Sequence, residues 1–208
     1  MSDIKQVESL YQHSYISFIA TLFAAILVYW LFKSVADINV LTTWLIVFVI
    51  ITVIRIFISW RFLNIEHKNS DLWLIAFLVM SMISGTLWGL TGILFIEKGT
   101  LPLLDSVLYH GMLLLFIAAL ITGSIVTYSA SKIVYLSFSV PAVVPQCLLL
   151  ISEGDKYHSL LGGIVLIYAC VMFVFSVYIH KIFAENIKIE ARNELLGFAL
   201  KKNGIKLD

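Results

Sequence analysis

The sequence predicts an all-α integral membrane protein, a bundle of six transmembrane helices followed by a charged cytoplasmic helix. Three observations carry that reading. Of the 208 residues, 61% are hydrophobic and only 13% charged, and mean hydropathy is +0.98; soluble domains carry roughly 25% charge and 45–50% apolar residues. The apolar residues gather into six runs, each long enough for ~30 Å of hydrocarbon, which takes about 20 helical residues. The only long polar stretch, HKIFAENIKIEARNELLGFALKKNGIKLD from His180 to Asp208, comes last. Residues 1–183 are therefore read as a transmembrane domain and 184–208 as a connector helix.

The opening MSDIKQVESLYQHS is polar and mixed in charge. The run after it, Ser14–Phe32, is too long for the core of a cleavable signal, so it is expected to stay as the first span. The second span, Val40–Trp60, carries Arg55 in VIRIFISWRF. Arg55 sits about one and a half turns from the helix end, and the favoured reading is a side chain that snorkels to the headgroups. The alternative is a buried guanidinium serving neighbouring carbonyls.

The third span, Leu72–Ile96, contains SMISGTLWGLTGILF. Ser81, Gly85, Gly89 and Gly92 share one helical face, and small residues let a second membrane helix approach closely. Ala119, Gly123 and Thr127 form a matching strip in the fourth span, Ser106–Thr127. Tight packing of the third span on the fourth is expected. The fifth span, Ile133–Ile151, reads IVYLSFSVPAVVPQCLLLI. Pro141 and Pro145 each remove a backbone donor and free the carbonyls of Ser137 and Pro141, which must find partners inside the membrane. The sixth span, His158–Phe183, runs into the tail with no Gly or Pro between His180 and Leu196.

The linkers KSVADIN, IEKGTLP and SEGDKY are short, which makes neighbouring helices antiparallel. Charge then sets the expected orientation. With the N-terminus inside, Lys5, Arg61, Lys68, Lys132, Lys181, Lys188, Arg192, Lys201, Lys202 and Lys206 face the cytoplasm. Only Lys33, Lys98 and Lys156 face outward, so the positive-inside rule predicts both termini cytoplasmic in a bacterial inner membrane.

Composition also bears on function classes. A net charge of +1 leaves no basic face for nucleic acid. Cys147 and Cys170 sit inside apolar runs without CxxC spacing and read as buried, inert thiols. No His pairs with a second His or a Cys at i, i+4, and neither GxSxG nor HExxH occurs. No enzyme, metal site or cofactor is expected, and no acidic residue lies deep enough to carry protons or cations. What remains is polar residues at one depth. Trp88, His110 and Gln146 all fall in the outer half of the membrane beside the Pro-containing helix, and they are the candidate lining of a small-molecule pocket. The expected partners are membrane lipids and a small amphiphilic ligand.

In the tail, Ile182, Ile189 and Leu196 recur every seven residues. This is a coiled-coil seam with apolar a positions and polar d positions, too weak to hold alone. It points to a homodimer whose last helix transmits a signal. TLWGLTGILF, the fourth helix with Gly123, LSFSVPAVVP and the final run into ENIKIEARNELL together resemble a bacterial membrane sensor module of the MASE type. Such modules stand N-terminal to histidine kinases and to diguanylate cyclase or cyclic-di-GMP phosphodiesterase domains. The resemblance extends from about residue 10 to residue 200 and implies input sensing and homodimerisation, with no ligand residues to carry over. No GGDEF, EAL or phosphoacceptor signature follows, so the output domain is expected to lie off this chain. The reading from a different class is a small stand-alone transporter or channel.

Overall fold

The computed structural model describes residues 4–66 and 69–202, and all regular structure among them is helical. The helices are α1 (Ile4–Phe32), α2 (Ile38–Leu63), α3 (Ser70–Gly89), α4 (Thr91–Phe95), α5 (Leu103–Thr127), α6 (Lys132–Ser152) and α7 (Lys156–Lys202). Among the described residues six spans are long and apolar enough to cross a membrane, with α3 and α4 together forming the third, Ser70–Phe95.

Local chemistry accounts for where several helices begin. Asp37 caps α2 by accepting from the backbone N–H groups of Asn39 at 2.7 Å and Val40 at 3.4 Å. Asn69 caps α3 in the same way, accepting from Asp71 and Leu72. Asp155 caps α7 through Tyr157 and His158. Each satisfies backbone donors that have no partner within the helix. Two of the short linkers turn on glycines with φ near +80°, Gly99 and Gly154, a backbone conformation that costs a side-chain-bearing residue energy.

α6 lies at the centre of the bundle and α7 at its edge. Half of the most apolar window of α6 is buried, against 11% for α7, so most of α7 is left to lipid or to another protein. α3 packs most extensively on α6, and α6 in turn on α7; α1 rests on α2 and α5.

The pairing of α3 with α6 corrects one expectation. The small-residue face of the third span meets the fifth span and not the fourth. A Cβ on Gly85 would lie 2.2 Å from the Phe138 carbonyl oxygen, and one on Gly89 only 2.0 Å from that of Pro141. The Pro141 carbonyl is one that loses its helical partner because Pro145 has no N–H. A glycine backbone brought against it supplies weak Cα–H donors. The opposite strip in α5 stays open: Ala119 and Gly123 are exposed, and nothing lies within 4 Å of a Cβ built on Gly123.

The third span is also not one unbroken helix. It changes at Leu90, between α3 and α4, where Gly89 and Gly92 weaken the helix from both sides. Beneath that break lies the aromatic core. Trp88, fully buried, meets Trp44 and Phe48 edge-on, each at 5.6 Å between ring centroids. Phe95 meets Trp44 at 5.2 Å and Phe32 at 5.7 Å. Such edge-to-face pairs contribute about 0.5–1.5 kcal/mol each beyond area burial.

Candidate functional site

Of the three residues expected to line one pocket, Trp88 and Gln146 are brought together and His110 stands with other partners. The Gln146 side-chain amide donates to the carbonyl of Gly89 at 3.1 Å, to that of Trp88 at 3.4 Å and to the Thr91 hydroxyl at 3.1 Å. Thr91 in turn donates to the Trp88 carbonyl at 2.6 Å. These groups surround the break at Leu90. Gln146 therefore serves backbone carbonyls that water cannot reach in the middle of a membrane span. The Trp88 indole N–H and the Gln146 amide oxygen remain buried without a hydrogen-bond partner among the described residues.

His110 belongs to a polar cluster where α5 and α7 begin. Its Nδ1–H donates to the Ser106 carbonyl at 2.9 Å, one turn back. The Ser106 hydroxyl lies 3.2 Å from His158 Nε2, and His158 Nδ1 is paired with the Asp155 carboxylate. The two imidazoles pack edge-to-face at 5.0 Å, and each residue is 1% exposed. Burial opposes ionisation of Asp155, but the backbone N–H and imidazole of His158 and the Tyr157 N–H outweigh it and hold the carboxyl below its ordinary value. With Nδ1–H given to the Ser106 carbonyl, the neutral His110 ring presents Nε2 as an acceptor. That atom is buried and has no partner among the described residues.

Sequence reasoning missed this cluster because Ser106 and His158 lie 52 residues apart. Only the packing of α7 on α5 joins them. The signal was local: SVLYH places Ser106 and His110 one turn apart, and DKYH does the same for Asp155 and His158, each at a helix start.

Arg55 corrects a second expectation. It is 5% exposed and does not snorkel. Its guanidinium donates to the Ser84 hydroxyl at 3.0 Å and to the Tyr128 hydroxyl at 3.1 Å, and it lies 4.4 Å over the Phe18 ring. Three helices and the turn after α5 thus converge on one cation. The donors of the guanidinium fork reach several acceptors at once, and the ring face adds a cation–π contact.

α7 continues from Lys156 to Lys202 without interruption. Four polar contacts, at three levels along its length, tie it to α5 or to the turn that follows. His158 meets Ser106 at one end. Near the middle, Tyr168 donates to the Ala118 carbonyl at 2.7 Å and contacts the Thr122 hydroxyl. At the other end, His180 Nδ1–H donates to the Ser129 carbonyl at 2.9 Å. Of the seam residues, Ile182 is 38% and Ile189 57% exposed in the single chain; the Leu196 side chain lies outside the described residues. Both cysteines are free; Cys147 is buried as expected, but Cys170 is exposed, because α7 lies at the edge of the bundle and leaves most of its surface uncovered.

No protein-family model, curated protein or solved structure matches this chain.

Proposed function

We propose that this chain is the membrane-embedded input module of a bacterial signalling protein. In this reading it sits in the inner membrane with both termini cytoplasmic, as a homodimer, and passes a signal from the bilayer or the outer side through α7. The receiver is a cytoplasmic kinase or cyclic-di-GMP enzyme, on a longer form of this chain or on a partner. The single observation that supports this best is α7 itself. At 1.5 Å per residue its 47 residues measure about 70 Å, of which the hydrocarbon takes ~30 Å. A helix that crosses the bundle and continues unbroken transmits displacement or rotation along its axis.

Its attachment suits that role. The polar contacts at His158, Tyr168 and His180 link α7 to α5 and its following turn, while its remaining membrane surface is largely uncovered. A shift of α7 against α5 and against α6, on which it also packs, is relayed along its axis to the tail. The competing reading, a transporter or channel, gains little from an interior filled by interlocking aromatic rings.

The test is a chimaera in which a diguanylate cyclase domain follows Lys202, with single, double, triple and quadruple alanine insertions after Ala184. Output should rise and fall with helical phase, at a period of about 3.6 residues. Output indifferent to insertion, or solute flux through proteoliposomes of the unfused chain, would sink the proposal.

A further inference from the structure

Arg55 places a positive charge inside the bundle, and its neighbours are neutral. The residue is 5% exposed, and a guanidinium keeps its charge in protein interiors. Its partners among the described residues are the Ser84 hydroxyl, the Tyr128 hydroxyl and the Phe18 ring, with no carboxylate among them. Hydroxyl oxygens and a ring face spread the charge without balancing it. A buried ion that lacks a counter-ion is among the costliest arrangements in a protein. The bonds to Ser84 and Tyr128 also leave further N–H donors of the fork unused.

A small cavity is lined by this same arginine. Tyr11 and Phe18 of α1, Arg55 and Ser59 of α2, and Phe77 and Met80 of α3 form its walls. Its volume is about 10 Å³, the room taken by one water-sized body. Arg55 and Ser59 stand one helical turn apart on one face of α2, and both border the cavity. Ser59 is 1% exposed, and its hydroxyl has no hydrogen-bond partner among the described residues. It does not turn back onto its own helix, as Thr52 does by donating to the Phe48 carbonyl at 2.8 Å. Tyr11 brings no donor, because its hydroxyl is given to the Trp73 carbonyl at 2.9 Å. Met80 supplies the adaptable wall, since an unbranched thioether side chain adjusts to an irregular gap.

We infer that this cavity is a binding site for one small monovalent anion, chloride, held between the Arg55 guanidinium and the Ser59 hydroxyl where α1, α2 and α3 meet. Charge and size make the selection together. Water fits the space but brings no charge to set against the guanidinium. A divalent oxyanion such as sulfate is too large, and its second charge has no partner. A fatty carboxylate has the right charge, but its chain has no room. Chloride meets both requirements and accepts from both donors at once, because a spherical anion imposes no direction on them. The ion ties three helices together, so chloride stabilises the folded state by mass action. This site does not depend on the input-module proposal.

The experiment is chloride magnetic-resonance line broadening on the whole chain in dodecyl maltoside micelles, with sodium gluconate holding ionic strength constant. Protein-bound chloride relaxes fast and broadens the averaged line. The excess width should be displaced by bromide or nitrate and not by sulfate. Arg55→Met should abolish it. Arg61→Met removes an exposed cation from the same helix and should broaden as wild type does. Ser59→Ala deletes the second donor while the bonds of Arg55 to Ser84 and Tyr128 stay. It should weaken chloride about tenfold, which is about 1.4 kcal/mol, and it keeps the test decisive if Arg55→Met does not fold. In parallel, the thermal unfolding midpoint of the wild type should rise with chloride against gluconate, and Ser59→Ala should need about tenfold more chloride for the same rise. Broadening that survives Arg55→Met, falls equally with Arg61→Met or ignores Ser59→Ala would overturn the inference. So would sulfate competing as well as bromide, or a midpoint indifferent to chloride; the cavity then takes water alone. None of these readouts involves a signalling output, so failure here is distinct from failure of the input-module proposal.

Discussion

Gly89→Ala is the sharpest perturbation of this fold. The added Cβ would stand 2.0 Å from the Pro141 carbonyl oxygen and 3.0 Å from the Pro145 ring. Protein Cβ contacts essentially never fall below 3.0 Å, so α3 and α6 must separate by about 1 Å at this point. A gap of 0.5–1 Å forfeits a quarter to a half of each dispersion contact across it, and overpacked cores lose about 1–3 kcal/mol. Because α3–α6 is the most extensive interface of the bundle, the upper part of that range applies. Alanine returns about 1 kcal/mol through helix propensity. The net expectation is a loss of roughly 2 kcal/mol, close to thirtyfold in the folding equilibrium. Gly163→Ala, with nothing within 4 Å, collects the propensity gain alone. Both variants should be unfolded reversibly in mixed micelles and followed by circular dichroism. Gly89→Ala as stable as Gly163→Ala would refute the close-approach account of the α3–α6 contact.

Further expectations follow from the polar interior and the tail. Gln146→Leu strips the donor from the Trp88 and Gly89 carbonyls and should cost about 1–3 kcal/mol, with faster hydrogen exchange at residues 90–93; unchanged exchange there would contradict its role at the helix break. Arg55→Lys keeps the charge but not a fork that reaches Ser84 and Tyr128, and should lower stability by about 2 kcal/mol. Arg55→Met, which removes the buried charge together with its bonds, should be the milder change, and the reverse order would refute this assignment. Asp155 ionises below the ordinary carboxylate value of 3.8, so its cap on α7 is fully present above that value and lost as pH falls through the lower folded one; Asp155→Asn should remove this acid-side step from hydrogen exchange in the first turn of α7. Cysteines at Ile189 and Leu196 should cross-link between subunits in native membranes far more than a cysteine at Lys188. Equal yields at all three would mean no seam, and none would mean a monomer.

The six apolar runs, and with them the membrane class and the helix count, were legible in the sequence because each span must satisfy its backbone within itself. The glycines of the third span and the prolines of the fifth were legible too, each as a separate local effect on backbone. What one-dimensional spacing could not decide was which faces meet. Gly85 and Gly89 suit any close neighbour; in the fold that neighbour is α6, with the Phe138 carbonyl against Gly85 and the Pro141 carbonyl, freed by Pro145, against Gly89, while Gly123 of α5 stays uncovered. Arg55 looked like a snorkelling side chain because hydropathy records depth and not direction, and only tertiary packing set Ser84, Tyr128 and Phe18 around it. Trp88, His110 and Gln146 shared a depth in the sequence, yet the fold divided them between a helix break and a polar cluster. Depth is a property of position along one helix, whereas a site requires side chains of different helices to point at one another, and that is determined by helix rotation and pairing.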